Sequence, residues 1–394
     1  MNDGQAKRDA KGRSKGEPAL RSRPLRSLRT ANAEGDRIFF HNIWFRGHNN
    51  RRIAQLLPRL DRVDPFLVTC SDQRIVRGIE FRALRGTRGL RNRAVFRAAA
   101  RRYRYTFTTD LEQIPFVRGR VVADIDDPNF TADEVDFLSR DNVAAYVVTN
   151  EEAGREFERM GVHTPRFVVP QGVDLSGLDR VEVAEVASRL RRPDELVIGY
   201  VAAWLVTAGD RDAGNALYNI DHLLDLWGRL RVDIPNARLW LIGQPSDRVR
   251  RLCANRSDVL LLGRLTENEV LAHVANFDIA LYPRRQSPAR FRSAMKIAEH
   301  LGLGVPTVAY ALDETRVLDA TGAGLLASDP NSFVEAVRHL AHDDHARSAV
   351  AHRSRVAGEG LDWNRLAAMY QRDVLDRFLA PESPMRTRPL HPTN

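Results

Sequence analysis

The chain has 394 residues, 43% hydrophobic and 28% charged, with a formal net charge of +9 and two cysteines. At about 100–200 residues per domain this length predicts two or three domains with real cores and excludes a wholly disordered chain. Cys70 and Cys253 exclude a disulfide framework and a CxxC pair, and no apolar run reaches the roughly 20 residues of a membrane span.

The N-terminal MNDGQAKRDAKGRSKGEP has no apolar stretch of the secretory kind, so a reduced, cytoplasmic protein is expected. Charge is unevenly placed. Residues 1–30 carry nine Lys/Arg against three acids, residues 74–105 carry eleven Arg against Glu80 alone, and the remainder is net acidic at −7. Two basic patches on a mildly acidic protein do not describe a nucleic-acid-binding fold.

Residues 1–34 read as a disordered basic tail. A first strand is expected over Arg37–Phe45, then a turn with Gly47, His48 and Asn49, then helical spacing from Arg51. Pro65–Cys70 reads as a strand, and the Arg-rich 74–105 as helix broken at Gly86 and Gly89. Strands follow at Tyr105–Thr108, Val121–Ile125, Ala144–Thr149 and Arg166–Val169, with a helix over Glu151–Met160 closed by Gly161.

After a polar link at 171–194 the alternation resumes. Strands are expected at Glu195–Val201, Ala237–Ile242, Val259–Leu262, Asp278–Tyr282 and Pro306–Tyr310. Helices are expected at Asn219–Leu230, 267–276 (opened by a Thr266/Glu269 capping box), Ser293–Leu301, Asn331–Leu340 and Asn364–Phe378. Short apolar strands alternating with amphipathic helices predict an α/β protein of two doubly wound parallel-sheet domains facing a cleft. The expected boundaries are 36–175 and 176–363, then a helix at 364–379 returning to the first domain, with tails at 1–35 and 380–394.

No G-x-G-x-x-G, Walker loop, G-x-S-x-G or H-E-x-x-H occurs, and the histidines do not cluster at metal-ligand spacing. In an open α/β sheet, ligands bind outside the carboxyl ends of the strands. The Gly243 turn, the Gly263-Arg264-Leu265 turn and the loop before the helix at 293 therefore converge on one site. That helix is preceded by Arg290 and Arg292 and carries Lys296 in its first turn. Cations disfavour a helix N-terminus unless an anion sits there, which points to a phosphate ligand, the alternative being a solvated basic helix start.

Several phrases occur together and in order: Ile198–Trp204, Asn219–Leu224, Pro235–Gly243, Val259–Leu265, Asp278–Pro283 and Lys296–Pro306, preceded by Val148–Asn150 and Val169–Asp174. The series resembles GT-B glycosyltransferases, above all the family-four retaining enzymes (glycosyl transferases group 1). The resemblance covers roughly 36–379 and is strongest from 145 to 310. It implies two Rossmann-like domains facing a cleft and transfer of a sugar, with retention, from a nucleotide-diphosphate sugar, without metal or other cofactor. It also implies a donor site of Trp204, Gly243, Arg264, Leu265, Arg290, Arg292, Ser293, Lys296 and Glu299, with Glu299 accepting from the ribose hydroxyls. Arg264 and Leu265 would hold the base through their backbone.

Two positions depart from the family pattern. Phe291 stands where a sugar-facing glutamate is common, and Tyr218 where a lysine is common. Arg211 lies near, but Arg290, Arg292 and Lys296 are the preferred relocated cations.

In the first domain, Val121-Val-Ala-Asp124-Ile-Asp126-Asp127-Pro128 is an apolar strand ending in acids. Asp126 and Asp127 are the catalytic candidates, with Asp127 orienting the acceptor hydroxyl. The alternatives are a capping acid before Pro128 or a D-x-D metal pair at Asp124 and Asp126. Gly47, His48 and Asn49 are expected on the acceptor side, or form a plain turn. The Arg-rich 74–105 suits an anionic partner: the inner membrane face, a lipid-linked diphosphate acceptor or an acidic polymer, with nucleic acid disfavoured. Two rival functions remain at this level: a non-catalytic glycosyltransferase-like binding subunit, and a polyanion- or membrane-binding protein acting through 74–105.

Overall fold

A computed structural model of the chain describes residues 38–42, 51–67, 75–76, 79–80, 103–117, 119–210, 220–285, 291 and 293–379. Gly47, His48, Asn49, Arg211, Tyr218, Arg290, Arg292, both tails and most of the Arg-rich stretch lie outside these described residues.

Strands β1 (Ile38–Asn42), β2 (Val63–Leu67), β5 (Tyr105–Thr108), β6 (Arg120–Ile125), β7 (Val143–Val148) and β8 (Arg166–Val168) form one sheet in the order β2-β1-β5-β6-β7-β8, every pair parallel. Between β2 and β5 lies a small antiparallel hairpin, β3 (Ile75–Val76) with β4 (Ile79–Glu80). Helix had been expected there. Ile75, Val76 and Ile79 are β-branched, so local preference outweighs the run of arginines. Helices α1 (Arg51–Leu56), α2 (Ala132–Leu138) and α3 (Glu151–Arg159) belong to this half.

Successive residues of a strand face opposite sides, and β6 shows both sides covered. Val121, Ala123 and Ile125 pack with Leu138 and Tyr146, while Val122 packs with Ile38, Ile53 and Phe107.

The second sheet also has six parallel strands: β9 (Leu196–Leu205), β10 (Ala237–Pro245), β11 (Val259–Gly263), β12 (Ile279–Tyr282), β13 (Thr307–Tyr310) and β14 (Gly324–Ala327), ordered β11-β10-β9-β12-β13-β14. Its helices are α4 (Arg180–Leu190), α5 (Asp221–Asp233), α6 (Asp247–Cys253), α7 (Glu267–Val274), α8 (Met295–Leu303), α9 (Arg316–Thr321), α10 (Pro330–His342) and α11 (Asp344–Gly358). Leu196, Ile198 and Tyr200 share a core with Leu223, Trp227 and Leu230 of α5, whereas Val197 and Val201 share another with Val270 and Phe277. Gly199 is required between them, since a Cβ there would lie 2.0 Å from the Phe277 ring. The polar link at 171–194 contains α4, which buries only Val186 and so carried little apolar signal.

Strand order reverses between β1 and β5 and again between β9 and β12, and such switch points open a crevice at the carboxyl ends of the strands. The chain closes with α12 (Trp363–Tyr370), a π-helical turn at Gln371–Leu375 and α13 (Asp376–Leu379). Trp363, Leu366, Tyr370, Val374 and Leu375 pack into the core of the first sheet beside Ile38 and Val122. The fold is thus GT-B: two parallel-sheet α/β units meeting at a crevice.

Candidate functional site

The crevice is built around α8. Its N-cap is Ala294, which has no side chain able to cap, and no acid lies in the first turn. By contrast Thr131, Asn150 and Asp329 each accept hydrogen bonds at the starts of their helices. The α8 N-terminus therefore has no capping side chain among the described residues and presents the positive end of its dipole, with Lys296 in its first turn. Glu299 lies one turn further on and is 5% exposed. The adjacent His300 is fully buried, its Nδ1 3.1 Å from Thr307 Oγ1, and burial pushes its pKa down to about 3. His300 is neutral and adds no charge to the site.

Helix α1 crosses from the first sheet to meet α8. Arg51 Nη1 donates to Glu299 Oε1 at 2.9 Å. One turn on, Gln55 Nε2 donates to Glu267 Oε1 at 2.8 Å. Arg59, another turn on, donates to Asp174 Oδ1 at 3.1 Å and Asn364 Oδ1 at 2.8 Å. Arg51 and Gln55, four apart, share one face of α1, and Arg59, in the 3-10 turn Leu57–Arg59 that follows, extends the polar row by donating to Gln55 O and Oε1 at 2.9 Å.

The segment before α8 is tied to the first half as well. Asn150 Nδ2 donates to the Phe291 carbonyl at 2.6 Å and to Ser293 Oγ at 3.0 Å. The Phe291 ring meets Phe130 edge-on, with centroids 5.9 Å apart, and packs with the core under β6 and β7. Phe291 and Phe130 both have positive φ, +53° and +56°. The residue in place of the family's sugar-facing glutamate is thus turned into the first half, where it anchors the loop.

At the ends of β9 and β10, Gly243 has φ +145°, and a Cβ on it would lie 2.2 Å from the Ala202 carbonyl oxygen. Only glycine permits that approach. The pairing shifts register there, and Trp204 stands 49% exposed opposite Gln244. Asp210 accepts from Thr207 N at 2.6 Å and from Ser246 Oγ at 2.8 Å, joining the two loops, and the Thr207 backbone bond together with the Ser246 bond lowers its pKa. Arg264 is exposed and Leu265 half-buried in the turn after Gly263, whose φ is +75°.

The acids of the first half lie at the carboxyl end of β6. Asp126 and Asp127 line a groove of about 900 Å³ whose walls come only from residues 109–137. Gln171 Nε2 makes a short hydrogen bond to Asp126 Oδ1. Asp124 is only 1% exposed, and its two oxygens accept from Arg52 and Tyr370. Those partners remove Asp124 from any D-x-D pair; it is a structural acid.

Ser293, Lys296 and Glu299 therefore share one helix start, with Gly243, Trp204, Arg264 and Leu265 on neighbouring strand-end loops of the same sheet. Asp126 and Asp127 occupy a groove of the first half. Sequence reasoning missed Arg51 and Asn150. Arg51 read only as part of a helical pattern, because its partner is 248 positions away.

Residues 202–343 match the family model described as Glycosyl transferases group 1. No curated protein sequence matches the chain. Among solved structures, HepE of Anabaena in complex with UDP superposes with TM-score 0.68 at 14% identity, over 86% of this chain and 100% of that one. Sucrose-phosphate synthase from Thermosynechococcus elongatus gives TM-score 0.67 at 15% identity, over 88% and 100%. WaaG, a glycosyltransferase involved in lipopolysaccharide biosynthesis, gives 0.62 at 13% over 85% and 98%. No helix among the described residues is long and apolar enough to cross a membrane.

Proposed function

We propose that the chain, which has the GT-B fold and resembles the group 1 glycosyltransferases over residues 202–343, moves a sugar from a nucleotide-diphosphate donor to an acceptor held by the first half. The observation that carries this reading is the start of α8: an uncapped N-terminus, a lysine in its first turn and the recessed carboxylate of Glu299 one turn later. That set matches the chemistry of a nucleoside diphosphate. The N–H groups and Lys296 suit phosphate oxygens, and the carboxylate suits ribose hydroxyls. Gly243 and the Arg264-Leu265 turn supply backbone near the base, and Trp204 an exposed aromatic face. Structures similar in fold that hold UDP or UDP-glucose support the donor class.

Departure of the diphosphate builds negative charge where the α8 dipole and Lys296 already point, and such preorganised stabilisation is the main contribution the protein makes. The polar row from Arg51 to Arg59 and the Asn150–Ser293 contact hold the crevice closed, which excludes water in favour of the acceptor. The acceptor enters through the groove lined by Asp126 and Asp127, with Asp127 orienting its hydroxyl. We infer retention of configuration and independence from metal from the family pattern.

The test is thermal melting against UDP, GDP, ADP, TDP and their sugars. A ligand at 100 times its Kd stabilises by about 2.7 kcal/mol, so one clear responder names the base. A folded protein silent to the whole panel would overturn the reading and favour binding of an anionic partner without turnover.

A further inference from the structure

The contact between Arg51 and Glu299 uses one edge of each group. Arg51 Nη1 meets Glu299 Oε1 at 2.9 Å, with Met295 Sδ 3.8 Å from the same nitrogen. Arg51 Nε and Nη2, and Glu299 Oε2, make no hydrogen bond with any described residue. A guanidinium set only to neutralise a carboxylate takes it with two parallel bonds, as Arg52 takes Asp124. The one-edged geometry leaves an acceptor on the glutamate and donors on the arginine. The exposures agree: the Glu299 side chain is 6% exposed, whereas that of Arg51 is 35% exposed.

The helix that delivers Arg51 is fixed further along, since Gln55 holds it against Glu267 and Arg59, in the 3-10 turn that follows it, pairs with Asp174. The backbone at Arg51 is therefore held facing α8 by contacts other than the one with Glu299. It stands one turn from the α8 start, where an anion would sit, and it comes from the opposite half of the molecule.

We propose that Arg51 is a donor-binding residue: it orients Glu299 for the ribose and gives its remaining N–H groups to the diphosphate, so the nucleotide bridges the two halves. This inference rests on the reading of α8 as a nucleotide site and supplies, from the other half of the molecule, a cation for the diphosphate beside Lys296. A nucleoside without phosphates engages Glu299 but leaves the remaining Arg51 donors unspent.

The experiment measures Kd by calorimetry for the diphosphate that the melting panel selects and for its parent nucleoside, using the full chain and its R51A, R51K and R59A variants. R51A should weaken the diphosphate at least tenfold while changing the nucleoside less than threefold. R51K, which keeps a charge without the planar fork, should recover part of the loss. R59A breaks a contact on the same row away from Glu299 and should leave the diphosphate-to-nucleoside ratio within twofold of the parent.

Diphosphate binding by R51A as tight as or tighter than the parent would overturn the proposal and make the pair a block on the site. A tenfold loss shared equally by nucleoside and diphosphate would also overturn it, leaving Arg51 only a support for Glu299. If the parent chain binds no diphosphate, the nucleotide reading itself fails and takes this inference with it. Normal binding by the parent with an unaffected R51A removes this inference alone. Should R51A melt below the assay temperature, R51K against R59A carries the same comparison, and an unchanged ratio in R51K overturns the proposal.

Discussion

The Arg52 guanidinium donates from Nε and Nη2 to the two carboxylate oxygens of Asp124, at 3.0 and 3.2 Å, with both side chains shut off from water. Tyr370 Oη donates to the same carboxylate at 3.0 Å, and Arg52 Nη1 donates to the Pro170 carbonyl at 2.9 Å. Four segments far apart in sequence meet at this pair: α1, β6, the link after β8, and the C-terminal α12. Burial, the Asp124 charge and the hydrogen bond to it drive the Tyr370 phenol well above its ordinary pKa, so it stays a donor.

Removing one member of a buried ion pair leaves the other charge uncompensated. Asp124→Asn should therefore cost about 3–5 kcal/mol, while Tyr370→Phe, which removes one hydrogen bond to a charged group, should cost about 1.5–3 kcal/mol. Urea unfolding of both variants checks this. A loss below ~1 kcal/mol in the Asn variant would show that the pair does not hold the C-terminal helix in place.

Phe291 packs on Phe130 and the core of the first half. Phe291→Ala should lose about 1–2 kcal/mol, given a ring only partly buried, and should weaken nucleotide binding by freeing the α8 loop. Phe291→Glu restores the residue common in the family, yet here it buries a carboxylate against aromatic rings. It should destabilise more than the alanine variant. Melting curves of the two decide, and a glutamate variant as stable as the parent would refute the anchoring role.

Lys296 and Glu299 are expected to act on different parts of the ligand. Lys296→Ala should weaken a nucleoside diphosphate about tenfold, which corresponds to ~1.4 kcal/mol, with little effect on the nucleoside. Glu299→Gln should weaken both. Equal losses for the two ligands in the lysine variant would remove Lys296 from the phosphate site.

His300 makes the fold sensitive to acid. Its folded-state pKa, about 3, lies below the ordinary 6.5, so the unfolded chain takes up the proton first. Its contribution is intact above pH 6.5 and is lost as the pH falls towards 3, at no more than about 1.4 kcal/mol per pH unit. Melting temperatures of the parent and of His300→Leu, followed from pH 8 to pH 4, should converge or cross in favour of the variant in acid. A constant difference across that range would show that His300 does not titrate on unfolding.

The α/β class and the two parallel sheets are legible in the local pattern of the chain, which also marks the start of α8 as the candidate phosphate-facing element. These rest on local signals: apolar runs of strand length, helical spacing, and Lys296 and Glu299 one turn apart. Capping boxes such as Thr266 with Glu269 are equally local, and the structure contains both of their hydrogen bonds. What depends on distant partners is set by the packing of the two halves. Asp124 reads as a strand-end acid like Asp126 and Asp127 until the fold places Arg52 and Tyr370 against it. Phe291 reads as a missing glutamate until Phe130 and Asn150 are brought to it. Arg51 reads as a helix residue until the crevice sets it against Glu299. Strand and helix periodicity are encoded within a dozen residues, whereas the partner of a charge at the crevice is fixed by how two sheets pack, which no local stretch of the chain records.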